Sequence, residues 1–169
     1  MIKISIITPV LNGEKTLQKT IDSIFCQNYP YVEYIIVDGL STDKTHEIIK
    51  FNKKKISKIF IGKDKNLYDA MNKGIKVAQG EIIGILNADD YYIDNALEYI
   101  VENNKKFPDT ILHANMRVIA SNGFYYDSVA PEEPKFKKGM VINHPTMFIP
   151  KTILDNYGMY DENFKINGD

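Results

Sequence analysis

The chain has 169 residues, of which 44% are hydrophobic and 25% charged, and its formal net charge at pH 7 is −1. These values predict one globular domain over residues 1–169 and exclude a disordered, collagen-like or coiled-coil chain. The near-zero charge and the single arginine, Arg117, argue against nucleic-acid partners and against clusters of arginines that bind phosphate.

The first hundred residues alternate between two hydrophobic periodicities, which predicts strands that alternate with helices. Apolar runs typical of buried strands occupy 2–8, 32–38, 56–61 and 81–86. Helical patterns lie over 17–25, 67–78 and 97–101, and Ser41 or Thr42 is expected to cap a further helix whose buried face includes Ile48 and Ile49. This order is typical of an α/β fold with an open, mostly parallel sheet flanked by helices.

The last third of the sequence follows a different pattern. Residues 111–119 and 124–129 read as two strands of an antiparallel hairpin, joined through Ser121-Asn122-Gly123. Residues 130–143 lack periodicity and are predicted to form a long functional loop. Because the sequence ends on a polar turn with no closing element, we expect a fragment of a longer protein.

Small or acidic polar residues follow three of the predicted parallel strands. Thr8 ends the first strand, Asp38 ends the second, and Asn87-Ala88-Asp89 follows the fourth. Ligands bind beyond the carboxyl ends of such strands, where clustered carboxylates require a compensating cation. Oxygen ligands of this kind suit Mn²⁺ or Mg²⁺ held jointly with a diphosphate. The sequence has no Gly-x-Gly, no Gly-Lys-Ser/Thr and no Gly-x-Ser-x-Gly, so three common nucleotide and hydrolase motifs are excluded.

Several motifs in a fixed order resemble those of a known enzyme family. They are 6–12 (IITPVLN), 36–45 (IVDGLSTDKT), 68–75 (YDAMNKGI), 78–81 (AQGE), 85–90 (ILNADD) and 160–164 (YDENF). Together they resemble the family 2 glycosyltransferases of the GT-A fold. The resemblance implies inverting transfer from a UDP-sugar to a glycan or lipid-linked acceptor, with Mn²⁺ or Mg²⁺ as cofactor.

The resemblance also assigns roles to individual residues. It places the nucleotide sugar against Thr8, Pro9, Val10, Asn12, Asp38, Asp64, Asn66, Asn87 and Ala88. Within this set, Asp38 would accept the N3 hydrogen of uracil. Asn66 stands where relatives usually have glycine, so we expect it to adopt the left-handed backbone that asparagine tolerates.

The remaining assignments concern the metal and the reaction. Asp89 would ligate the metal, and His144 would complete the metal shell or bind the diphosphate. Asp169 would act as the general base that takes the proton of the acceptor hydroxyl. Two other aspartates are expected to be structural: Asp43 would order its loop, and Asp90 would cap the next helix.

Other functions and the location stay open on the sequence alone. A non-catalytic nucleotide-sugar or carbohydrate-binding module is the main alternative. A receiver domain would need an acidic pair directly after the first strand, where Thr8 and Pro9 stand. The lone cysteine, Cys26, fits a cytoplasmic protein, and the lysine-rich stretches would suit peripheral contact with the inner membrane face.

Overall fold

Five strands form the central sheet of the computed structural model, which describes residues 1–131 and 142–163. Their order is β3-β2-β1-β4-β7, with β1 to β4 parallel and β7 antiparallel to β4. A separate antiparallel pair, β5-β6, completes the fold. The elements are β1 (Ile4–Val10), α1 (Leu17–Phe25), β2 (Val32–Asp38), α2 (Thr45–Phe51), β3 (Lys58–Ile61), α3 (Leu67–Val77), β4 (Ile82–Ile85), α4 (Ala96–Lys106), β5 (Met116–Ile119), β6 (Tyr125–Ser128), β7 (Phe148–Pro150) and α5 (Lys151–Tyr157). The predicted α/β class, with its open parallel sheet and C-terminal hairpin, is confirmed.

Both faces of the sheet are buried, because successive residues of a strand point to opposite sides. On one face, Ile6 and Ile36 pack among residues of α1, α2 and α4. On the other face, Ile7 and Ile35 pack against α3 and α5. The continuous apolar runs of β1 and β2 are therefore explained by burial on two sides.

The first strand is longer than its sequence pattern predicts. The apolar run indicates an end at Thr8, but β1 continues to Val10, which pairs with Asp38 of β2. Pro9 is tolerated because pairing with β4 stops at Ile7, so its missing N–H falls beyond the end of that ladder. The strand therefore carries Thr8, Pro9 and Val10 as part of the buried sheet.

One further local prediction is wrong, and one strand was not predicted. The α2 helix has Lys44 at its N-cap position with no side-chain cap. Ser41 instead donates to Asp38, and the side chain of Asp43 accepts from the Thr45 N–H at 2.9 Å. The short edge strand β7 had no recognisable pattern, because three residues are too few to establish a period.

The hairpin occurs where the turn residues predicted it, although β5 is shorter than expected. Its strands pair from Met116 with Ser128 to Ile119 with Tyr125. Gly123 has φ 83°, a conformation that glycine adopts without strain, and its N–H donates to the Ala120 carbonyl. Of the predicted long loop, residues 132–141 lie outside the described residues.

Candidate functional site

The carboxyl ends of β1, β2 and β4 meet at one edge of the sheet, because these three strands are parallel neighbours. Asp38 is the last residue of β2 and lies opposite Val10 of β1. On the other side of β1, β4 ends at Ile85, and Leu86 donates its N–H to the Ile7 carbonyl. The loops predicted to bind a ligand therefore share this edge, which we call the rim.

The loops after β1 and β2 are joined by hydrogen bonds in both directions. The Asn12 N–H donates to Ser41 Oγ at 2.8 Å, and Asn12 Oδ1 accepts from the Thr42 N–H at 2.8 Å. Asp43 accepts from the Glu14 N–H at 2.9 Å, which confirms its expected loop-ordering role. Asn12 has φ 57°, so its backbone is left-handed, and its side chain holds the two loops together.

Asp38 is completely buried beneath the rim. Its Oδ1 accepts from both the N–H and the hydroxyl of Ser41, at 3.0 and 2.6 Å. Its Oδ2 lies 2.5 Å from Nε2 of His46, a side chain that is 45% exposed. Among the described residues this oxygen has no partner in hydrogen-bond geometry. His46 therefore stands between the buried carboxylate and solvent.

Thr8 is also buried, on the same side of the sheet as Asp38. Its hydroxyl and the Tyr34 hydroxyl are both buried without a well-formed hydrogen bond in the described part of the chain. Burial raises the pKa of Tyr34, so its hydroxyl stays neutral at physiological pH. The two hydroxyls form a polar layer inside the core, below the position predicted for the base and ribose.

Asp64 lies beside the loop that follows Asp38. Its Oδ2 would be 2.9 Å from a Cβ atom on Gly39, so a side chain at that position would require Asp64 to shift. Its Oδ1 lies 2.6 Å from Nζ of Lys73, which also lies 3.0 Å from Asp69 Oδ2. Hydrogen bonding to Asp64 raises the pKa of Lys73. The pKa of Asp69 is lowered, mainly by the hydrogen bond from the backbone N–H of Lys65 and to a smaller extent by Lys73.

Asn66 begins α3 and does not have the predicted left-handed backbone. Its φ of −164° is extended, and its Oδ1 accepts from the Asp69 N–H at 3.0 Å. Asparagine is therefore favoured here as an N-cap. Its Nδ2 donates to the Glu162 carbonyl at 2.8 Å, which connects the rim to the C-terminal segment.

The turn after β4 presents Asp89 to solvent. Asp89 is exposed and has no polar partner among residues 1–131 and 142–163, while Ala88 is half-buried. Asn87 donates to Asp90 at 3.2 Å, and its own Oδ1 is buried without a partner in the described ranges. The hydroxyl of Thr20 on α1 lies 2.9 and 2.8 Å from the Ala88 and Asp90 carbonyls. Asp90 closes this turn and does not cap α4, whose N-cap is Asn95.

These residues fit a metal that is shared with a bound diphosphate, but they do not form a complete metal cage. Within the described ranges, no three His, Cys, Asp or Glu side chains cluster closely enough to hold an ion. Asp89 offers a carboxylate, and the unpartnered amide oxygen of Asn87 offers a second ligand of the type that Mg²⁺ and Mn²⁺ accept. The remaining ligands would come from water and phosphate.

His144 and Tyr160 form a cluster on the α3 side of the rim. His144 lies in a 3₁₀ turn next to β4, and its Nε2 is hydrogen-bonded to the Tyr160 hydroxyl at 3.1 Å. Tyr160 stacks on Tyr68 with 5.6 Å between ring centroids. Burial raises the pKa of Tyr160 to about 12, so the hydroxyl is neutral at physiological pH.

The C-terminal segment is fastened to α3 by Asn72, a residue that the sequence did not single out. Asn72 is 2% exposed; it donates to the Tyr160 carbonyl at 2.8 Å and accepts from the Tyr160 N–H at 3.1 Å. Glu162 pairs with Lys65 at 2.9 Å, and hydrogen bonds from Lys65 and Asn72 lower the pKa of this carboxyl. An open cleft of about 500 Å³ is lined by Lys65, Asn72 and residues 159–163.

The structure thus brings most of the predicted site residues to one rim. Asp169, the predicted base, lies outside the described residues. His46, Asn72 and Lys73 were missed because they are single polar side chains on helices, where periodicity reports only the buried face. Asn72 and Lys73 do lie within the YDAMNKGI motif, which was the available signal.

Comparison with known proteins agrees with this geometry. The family model described as "Glycosyl transferase family 2" matches residues 5–154. An uncharacterised glycosyltransferase of Rickettsia typhi is 29% identical over 98% of this chain and 56% of the relative. A UDP-Glc:alpha-D-GlcNAc-diphosphoundecaprenol beta-1,3-glucosyltransferase of Escherichia coli is 28% identical over 91% of this chain and 62% of its own length. The chain therefore spans little more than half the length of these relatives.

Two solved structures share the fold. TarS 1-349 of S. aureus in complex with UDP superposes with a TM-score of 0.79 and 22% identity, over 98% of this chain and 52% of that 1-349 chain. The mannosyltransferase PcManGT of Pyrobaculum calidifontis, in complex with GDP-Man and Mn²⁺, gives a TM-score of 0.75 and 19% identity. That match covers 96% of this chain and 48% of the mannosyltransferase.

Proposed function

Because the chain belongs to glycosyl transferase family 2, we propose that residues 1–169 form one GT-A domain that binds a UDP-sugar and transfers its sugar with inversion. The observation that carries this proposal is the edge of the parallel sheet where Asp38 ends β2, Asp64 follows β3 and Asp89 follows β4. Loops at this edge of a parallel sheet are where nucleotides bind in α/β proteins.

Uracil is the base that best fits Asp38. An ionised carboxylate only accepts hydrogen bonds, and uracil offers an N3–H donor. The E. coli relative is named for UDP-Glc, and TarS was crystallised with UDP, which supports the same donor class here. Thr8, Pro9, Val10 and Asn12 would lie around the base and ribose, and Asp64 and Asn66 would flank the nucleotide.

The diphosphate would lie next to Asp89, Asn87 and Ala88. A divalent cation bound there supplies positive charge against the departing diphosphate. Asp89 would hold this cation through its carboxylate, and His144 would approach the same diphosphate from the 3₁₀ turn. The Mn²⁺ complex of the mannosyltransferase supports such a site in this fold.

Asp169 is our candidate for the general base. It would remove the proton from the acceptor hydroxyl as that oxygen attacks the anomeric carbon. A single displacement of this kind inverts the configuration of the sugar. Two E. coli relatives are named for diphosphoundecaprenol-linked acceptors, so we propose a lipid-linked glycan as acceptor. In the described part of the chain no helix has both the length and the apolar character needed to cross a bilayer.

Calorimetric titration of UDP, with and without Mn²⁺, tests the donor site. We expect Mn²⁺ to tighten UDP binding, and Asp89→Asn to remove most of that tightening while it leaves metal-free binding nearly unchanged. Asp109→Asn changes an exposed aspartate in the turn after α4; it is the matched control and should behave as wild type.

Two outcomes would contradict the proposal. If UDP fails to bind at millimolar concentration with Mn²⁺ present, the donor assignment is wrong. If Asp89→Asn weakens binding equally with and without metal, Asp89 does not hold the cation. A third outcome, in which a longer chain binds UDP-sugar but does not transfer the sugar, would favour the non-catalytic binding module.

A further inference from the structure

We propose that His46 recognises the nucleobase together with Asp38, and that this pair selects bases with a ring N–H next to a carbonyl over cytosine. The inference rests on the proposed function, because it concerns the same nucleotide site. It adds a specificity-determining residue on α2 that nothing in the rim motifs indicates.

The first step in the argument is the state of the Asp38 carboxylate. Its Oδ1 is occupied by two hydrogen bonds from Ser41, which fix the orientation of the side chain. Its Oδ2 is buried, and among the described residues it has no hydrogen bond of good geometry. A buried carboxylate oxygen without a hydrogen bond is unfavourable, so this atom is suited to receive a donor from a ligand.

The second step is the position of His46. Its Nε2 lies 2.5 Å from this same Oδ2, and Asp38 itself has no exposed surface. A base can reach Asp38 only if the imidazole moves aside. Because 45% of the His46 side chain is exposed, such a rotation displaces little packed structure. After it, the ring would remain beside the base.

The third step is the match between donors and acceptors. In uracil, N3–H lies between the C2 and C4 carbonyls, so N3–H can donate to Asp38 while the C4 carbonyl accepts from His46 Nε2–H. Cytosine has the opposite hydrogen-bonding roles at these two positions: its N3 is an acceptor, and its N4 amine is a donor in place of the C4 carbonyl. Asp38 would then face an acceptor and His46 a second donor, which leaves both side chains unpaired.

The alternative is that His46 merely covers Asp38 and makes no contact with the base. On that account its removal changes the stability of the rim and shifts the affinity for every nucleotide in the same direction. A role in recognition instead changes the ratio between two nucleotides that differ only in the base. UDP and CDP share the ribose and diphosphate, so their affinity ratio isolates the base.

The experiment is to titrate UDP and CDP into wild type, His46→Ala, His46→Gln and Lys50→Ala, each with Mn²⁺. Lys50 is the matched control, because it is an exposed side chain on the same helix. We expect wild type to bind UDP more tightly than CDP. His46→Ala should reduce the ratio of the two affinities by about ten-fold, because the variant lacks both the His46 hydrogen bond to uracil and the unfavourable meeting of two donors with cytosine. Glutamine retains a donor and should restore part of the preference, and Lys50→Ala should keep all of it.

The outcomes separate this inference from the proposed function. If wild type binds UDP but His46→Ala shows the same UDP-to-CDP ratio, the inference about His46 is wrong and the donor site stands. A wild-type protein that binds neither nucleotide would contradict both. Thermal denaturation of the variants without nucleotide identifies any loss of folding, and a folded His46→Gln variant provides the test if His46→Ala unfolds.

Discussion

Substitution of Asn72 by alanine should release the C-terminal segment from α3 without disrupting the sheet. The side chain of Asn72 is buried and forms two good hydrogen bonds to the backbone of Tyr160, together with a longer one of 3.3 Å to Glu162 Oε1. Alanine removes all three and leaves the Tyr160 N–H and carbonyl without these partners. The core residues of β1, β2 and β4 are untouched by the change.

The magnitude follows from these contacts. Each hydrogen bond to the Tyr160 backbone contributes about 1 kcal/mol, and an unpaired, partly buried N–H adds about 1 kcal/mol to the loss. We therefore expect the free energy that holds residues 160–162 against α3 to fall by about 2–3 kcal/mol. The stacking of Tyr160 on Tyr68 remains, so the segment should open more often but stay docked on average.

Native-state hydrogen exchange at the Tyr160 amide measures this opening directly, and urea denaturation reports the global free energy of unfolding. Asn103→Ala is the matched control, because Asn103 also donates to a backbone carbonyl, that of Tyr99 at 2.8 Å, but in an exposed position on α4. It should change stability by less than about 0.5 kcal/mol. The reasoning is refuted if Tyr160 exchanges at the wild-type rate in Asn72→Ala, or if both variants lose the same stability.

Two further substitutions test the ion pairs of the rim and the packing of α3. Lys73→Met should lower the free energy of unfolding at pH 7 by about 1–2 kcal/mol, a value reduced because the lysine is one-third exposed. Lys73 contributes to the lowered pKa of Asp69, after the backbone N–H of Lys65, and the variant loses only this contribution. The contribution is fully present above the pKa of unfolded aspartate, about 3.9, and is lost as the pH falls through the folded pKa below that value. The difference in the free energy of unfolding between variant and wild type, measured by urea denaturation, should therefore narrow in that acid range. A gap that persists unchanged at acid pH would contradict the ion-pair explanation. Gly74→Ala should destabilise the protein by about 1–3 kcal/mol in thermal denaturation, because the new Cβ would be 2.4 Å from Ile7 Cγ2. Gly62→Ala has open space around it and should be nearly neutral; equal effects of the two glycine substitutions would show that packing against Ile7 is not the cause.

The sheet could be predicted because its strands are buried on both faces. Continuous apolar runs identified β1 and β2. The apolar residues that recur at helical spacing in α3 form the side of that helix that packs on the sheet. The prediction was wrong where local signals were short or ambiguous. The apolar run suggested that β1 ends at Thr8, although the strand continues through Pro9, whose missing N–H falls outside the ladder with β4. The three residues of β7 are too few to show a period.

The site could be predicted only in outline. Strand ends identified Asp38 and Asp89, because topology alone brings parallel carboxyl ends to one edge. The partners of Asp38 and Asp64 were not predictable, since His46 and Lys73 come from helices whose rotation about their axes is set by tertiary packing. Asn66 shows the same limit: its residue type suggested a left-handed turn, but the contact with Asp69 made it a helix cap.

The distribution of positive charge around the described part of the rim supports placing the proposed cation at Asp89. Clustered carboxylates are stable only when opposite charges or donors compensate them. Asp64 has Lys73 at 2.6 Å, and Asp38 has two donors from Ser41 with His46 beside it. Asp89 has no such partner within residues 1–131 and 142–163, and a diphosphate would add further negative charge at that position. Under the proposed function, the protein supplies its own counter-groups where the base and ribose would bind, and an ion that arrives with the substrate would compensate the charge at the phosphates.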